Sequence, residues 1–211
     1  MLLYYTLQGV MLSSRDKLII KTLCGAFYEN ERMRTLIRKQ NKAFKLGLHV
    51  VITYCYFMVK KLRGVFLSSN QATVLLYYQK SQHYHTIRNC WHYLHIAFLA
   101  IGICRIGFAL KREAIVKATR QAQLRLLGER DYLYIWFLAQ KEARKDIKGL
   151  IEAKNQMLLE AEARQLPIYI ETTEERLLPI YERIGFVFYD FKEDASIGLR
   201  VWFGRMGARL E

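Results

Sequence analysis

Residues 144 to 149 read Arg144-Lys145-Asp146-Ile147-Lys148-Gly149, three basic side chains and a glycine where an amphipathic helix begins. A pyrophosphate needs several converging N–H donors, and a helix N-terminus supplies them together with a favourable dipole. Gly149 permits close backbone approach, and the basic side chains screen phosphate charge. Phosphate binding is the chemistry this segment suits, although a charged solvent loop opening an ordinary helix has the same pattern. Glu171 closes an apolar run, where a carboxylate serves as acid or base, orients a substrate, or simply caps the next helix. His83, His85, His92 and His95 are close in sequence, with His92 and His95 on one helix face. Zinc would need a fourth ligand and a supporting hydrogen-bonded shell, so no metal site is expected.

Positioning these residues requires a strand, a helix and a second strand in succession. Residues 132 to 139, TyrLeuTyrIleTrpPheLeuAla, are apolar on both faces, as a central strand is. A helix follows from Ile147 to Gln165, with Ile147, Leu150, Ile151, Met157, Leu158 and Ala161 on its apolar stripe. Pro167 ends it, and residues 168 to 172 form another apolar strand. Such a βαβ unit makes the two strands parallel and the crossover right-handed. A short helix with Pro179 in its first turn and Gly185 as left-handed cap comes next. Residues 186 to 191 and 199 to 206 read as an antiparallel hairpin at the sheet end.

Upstream, Arg15 to Phe27 shows helical spacing with Ser13 or Ser14 as cap, and a longer helix spans Met33 to Lys61 with a basic first half. Residues 64 to 69 and 72 to 78 form a hairpin about Asn70-Gln71, and residues 82 to 126 return to helix as two segments. Neither repeats nor flexible linkers interrupt the chain, which reads as one α/β domain over 1–211 with a leader at 1–10 and a helical insert at 82–126.

The 211 residues carry a formal charge of +14, which draws polyanions: nucleic acid, anionic membrane or a phosphorylated cofactor. From Ile151 onward there are 8 Lys and Arg against 11 Asp and Glu, so the excess lies before that point and runs up to Lys148. The basic stretch from Met33 to Lys45 has few interleaved aromatics, so a solvated face is expected and a nucleic-acid partner is not. Cys24, Cys55, Cys90 and Cys104 form no CxxC pair and read as reduced thiols of a cytoplasmic protein. The apolar run from Ile96 to Leu110 is interrupted by Arg105 and is too short to span a bilayer.

The order of strand, basic loop, helix and strand, followed by LeuLeuProIleTyrGluArgIleGlyPhe (177 to 186) and a hairpin, resembles the C-terminal half of GNAT acetyltransferases. Tyr181, Gly185 and Phe186 match that family's Tyr-x-x-x-Gly-Phe pattern, and Arg144 and Gly149 match the ends of its phosphate loop. Ile147 replaces the loop's first glycine, and Lys141 stands where a proline is usual. The resemblance covers residues 131 to 206. It implies a central mixed sheet with two splayed parallel strands flanked by helices. It also implies acetyl-CoA as cosubstrate and transfer of its acetyl group to a primary amine, on a small molecule or a peptide, with a homodimer left open. The main chain of Leu138 and Ala139 would pair with pantetheine as an added strand does. Arg144, Lys145, Asp146, Ile147, Lys148 and Gly149 would hold the pyrophosphate, Tyr181 would protonate the leaving thiolate, and the general base stays open among Glu171, Tyr134 and an ordered water. The alternative is a non-catalytic GNAT-like module or a basic nucleic-acid binder.

Overall fold

Ser13 starts the first helix. Its hydroxyl accepts from the Asp16 amide at 3.2 Å while the Asp16 carboxylate accepts from the Ser13 amide at 3.1 Å, a reciprocal cap for α1 (Ser14–Phe27). Asp16 is buried and also binds the second helix, α2 (Asn41–Lys61), through Lys60 at 2.8 Å and the Tyr56 hydroxyl. Burial alone would raise its pKa, but Lys60, Tyr56 and Ser13 together hold it well below the usual carboxylate range. The computed structural model describes residues 12–30, 33–34, 37, 41–82, 103–141 and 147–207. The basic loop at 142–146, the histidines at 83–95 and most of the basic stretch before residue 41 lie outside them.

After α2 the chain turns through β1 (Val65–Leu67) and β2 (Thr73–Gln79), with Val65 opposite Leu76. Gly64 allows this turn: a Cβ there would lie 1.7 Å from the Tyr77 carbonyl oxygen. Helix α3 (Ile103–Leu126) precedes β3 (Leu133–Gln140), then α4 (Ile147–Arg164) and β4 (Ile168–Thr172). A 3-10 turn leads into α5 (Leu178–Arg183), followed by β5 (Val187–Asp194) and β6 (Leu199–Met206). Gly185 ends α5 at φ +107°, where a side chain would be strained and would meet Met206.

The six strands form one sheet in the order β1-β2-β3-β4-β6-β5, antiparallel except for β3 and β4. Alternation along β2 shows how the sheet separates two cores. Val74, Leu76 and Tyr78 pack with Ile19, Leu23 and Ile52 of α1 and α2, while Leu75 and Tyr77 pack with Ala153, Met157 and Ala161 of α4.

Two expectations need correction. The buried line of α4 is Gly149, Ala153, Met157 and Ala161, whereas Ile147 and Ile151 are 72% and 50% exposed. Three of these four, at spacings of four and eight, are Gly or Ala and let the helix lie close to the sheet, with Met157 the one large side chain on the line. The second helix is continuous only from Asn41; Met33 and Arg34 are helical but Ile37 lies in a bend. Of the insert, residues 103 to 126 are a single helix.

Candidate active site

The parallel pair is short. β3 and β4 are joined from Leu133↔Ile168 to Ile135↔Ile170, and there the ladder stops. β3 continues to Gln140 against β2 alone, while β4 pairs through Glu171 and Thr172 with β6 alone. The two strands therefore diverge at their C-terminal ends, which leaves backbone N–H and C=O groups of β3 facing the gap.

A cavity of about 480 Å³ occupies this gap. Residues 135 to 140 of β3, 170 to 174 from the end of β4, Leu150 of α4, Tyr181 of α5 and the end of α1 line it. It thus brings together Leu138, Ala139, Glu171 and Tyr181. Ile147, Lys148 and Gly149 form the first turn of α4, with Gly149 buried and the Lys148 side chain 74% exposed. This end of α4 is fixed to the β1–β2 turn by Glu152, which accepts from the Ser69 amide at 2.7 Å and the Ser69 hydroxyl at 2.6 Å. Arg144, Lys145 and Asp146 lie outside the described residues.

Tyr181 is buried, edge-on to Phe186 and Phe188. Burial, and secondarily the charge of Glu174, pushes its hydroxyl up to about 12. A phenol so perturbed stays protonated throughout the ordinary working range and has a proton to donate.

Glu171 is in a different situation. Its side chain is 2% exposed, Oε1 is held by the Arg120 guanidinium of α3, and Oε2 accepts from the Tyr134 hydroxyl at 2.9 Å. Arg120 also donates to the Tyr132 hydroxyl at 2.9 Å and lies over the Tyr134 ring at 4.5 Å. With both oxygens engaged, this carboxylate is tied into the wall of the site and has little freedom to turn towards a substrate.

Three participants escaped the sequence reading. Arg120 is one of 33 basic residues, on a helix that alternates charge with small apolar side chains, and nothing in its spacing distinguishes it. Glu174, three residues beyond Glu171, lines the cavity with its side chain 27% exposed. Asn30, just past α1, reaches Glu174 at 3.4 Å and ties the first helix to the end of β4.

No protein-family model and no curated protein sequence matches the chain. Solved structures do. The chain is similar to a histone acetyltransferase HPA2 and related acetyltransferase from Corynebacterium glutamicum, at 15% identity and a TM-score of 0.59, over 96% of each chain. It is similar to the polyamine N-acetyltransferase of Drosophila melanogaster at 12% identity and a TM-score of 0.57, over 90% of this chain and 94% of that one. A mosquito arylalkylamine N-acetyltransferase-like protein aligns at 11% identity and a TM-score of 0.52, over 88% and 93%. The six-stranded mixed sheet, its single parallel pair splayed above the cavity, is the GNAT N-acetyltransferase fold.

Proposed function

We propose that this chain is an acetyl-CoA-dependent N-acetyltransferase, built as one domain, that acts on a primary amine. The observation that carries this reading is the divergence of β3 and β4 over a cavity that Tyr181 lines. The free main-chain edge at Leu138 and Ala139 offers pantetheine the hydrogen bonds of an added strand. The first turn of α4, with Lys148 and Gly149, suits the pyrophosphate, and the segment from Arg144 to Ile147 would complete that cradle. The neutral acceptor amine would attack the thioester carbonyl directly. As the C–N bond forms and the C–S bond breaks, the Tyr181 hydroxyl gives its proton to the departing thiolate, and the proton shed by the amine nitrogen returns through water to the phenolate. Glu171 is better suited to positioning than to proton transfer, because Arg120 and Tyr134 hold both its oxygens. The similar proteins named above act, by their names, on histone, polyamine and arylalkylamine acceptors, so their likeness supports an amine without selecting one. Among the described residues, no helix is long and apolar enough to cross a membrane, and Cys24 and Cys55 form no disulfide; a cytoplasmic location is part of this proposal.

Acetyl-CoA binding tests the reading directly. A ligand that binds only the folded state stabilises it by about 2.7 kcal/mol at a hundredfold excess over its dissociation constant. Acetyl-CoA should raise the melting temperature by several degrees. An unchanged melting curve at millimolar acetyl-CoA would remove the cosubstrate from the proposal.

A further inference from the structure

The cavity has two walls of different character. One is the β3 edge with Leu150, on the α4 side of the sheet, where the cosubstrate is placed. The other belongs to α1, α2 and the residues that join them: Phe27, Ile37, Val51 and Cys55, facing Phe137. Phe27 and Phe137 meet edge-on at 5.0 Å, so this hollow is closed and apolar at its base. Among the described residues, polar lining groups stand at the end of α1 (Glu29, Asn30) and of β3 (Gln140), and they are densest past the end of β4.

Four carboxylates line the cavity, and their surroundings separate them. Glu171 is sealed by Arg120. Glu29 is 71% exposed and paired with Arg34 at 2.5 Å, and Glu113 stands on the exposed side of α3. Glu174 combines partial burial with a place in the lining that it shares with Tyr181, and it is neither sealed by a buried cation nor fully in solvent. Its own partners leave it available. The Asn30 amide is a long contact at 3.4 Å, and the Arg176 guanidinium, 3.2 Å away, is 82% exposed, an arrangement worth little in water. The Glu174 backbone is fixed by its N–H to the Thr172 hydroxyl at 3.1 Å, so the carboxylate is presented from a rigid turn.

We propose that Glu174 is the seat of the acceptor's ammonium group, and that the acceptor is a monocationic primary amine whose apolar body fills the hollow of Phe27, Val51, Cys55 and Phe137. This deepens the acetyltransfer reading and rests on it only for the identity of the bound amine as an acceptor. The charge at one end satisfies Glu174 beside Tyr181. A second charge at the far end would have to be desolvated among apolar side chains, which disfavours a diamine.

Calorimetric titration at pH 7 with hexylamine, 1-hexanol and 1,6-diaminohexane tests this without turnover. Hexylamine is protonated there, as an ordinary alkylammonium is. It should bind at least about tenfold more tightly than the alcohol and about tenfold more tightly than the diamine. Glu174→Gln should erase the preference over the alcohol while leaving alcohol binding unchanged, and Glu174→Asp should retain part of it. Equal affinity for hexylamine and hexanol, a preference that survives in Glu174→Gln, a diamine that binds as well as the monoamine, or no binding of any probe would each overturn the proposal. Acetyl-CoA titrated into the same samples checks that the variants fold, and it separates the two readings. Loss of acetyl-CoA binding with amine selectivity intact would remove acetyl transfer and keep the seat, whereas the reverse would remove only the seat.

Discussion

Tyr181 and Glu171 were both legible as candidates from their positions, but only their surroundings reveal how differently they can act. Tyr181 is buried beside a carboxylate and retains its proton, whereas Glu171 is locked by an arginine that sequence spacing did not single out. Tyr181→Phe keeps the ring against Phe186 and Phe188 and deletes only the donor. Turnover should fall about a hundredfold, within the range for general acid catalysis, with melting temperature and acetyl-CoA affinity nearly unchanged. The pH profile supplies a second check. With the hydroxyl pushed up to about 12, activity should rise as the acceptor amine loses its proton and should show no falling limb from Tyr181 below that value. A variant that turns over at the parental rate would reduce Tyr181 to packing.

At the level of elements, punctuation was read more reliably than packing. Pro167, Pro179 and Gly185 mark real boundaries because their backbone restrictions act locally, whatever the rest of the chain does. The buried face of α4 was read in part: Met157 and Ala161 are buried as expected, whereas Ile147 and Ile151 are not, because the face depends on how closely the helix approaches the sheet, which Gly149 and Ala153 permit. The same correction changes which residue best tests the phosphate cradle. Gly149 is buried, so a side chain there would confound binding with folding, but Lys148 extends into solvent beyond Glu152. Lys148→Glu should lower acetyl-CoA affinity about tenfold (~1.4 kcal/mol), more at low salt than at high salt, without moving the melting temperature of the unliganded protein. Equal affinity would place the phosphates elsewhere.

For the molecule as a whole, an excess of positive charge coexists with a cavity that, among the described residues, is lined by more acidic groups than basic ones. Glu29, Glu113, Glu171 and Glu174 line it with Arg176. Composition registers the first and is blind to the second, because the carboxylates that converge are scattered along the chain from Glu29 to Glu174. The order of elements disclosed the sheet, and the point at which β3 and β4 part emerged only from their pairing. That parting has a kinetic consequence. Amides along β3 alternate in direction, so beyond the register shift at Trp136, between Phe137 and Gln140, one set is bonded to β2 and the other faces the gap. In the unliganded protein, hydrogen exchange should divide these neighbours into slow and fast classes in alternation. Saturation with acetyl-CoA should slow the fast class selectively and leave the slow one where it was. An alternating pattern of protection on a single strand would record, amide by amide, that a ligand had completed the sheet.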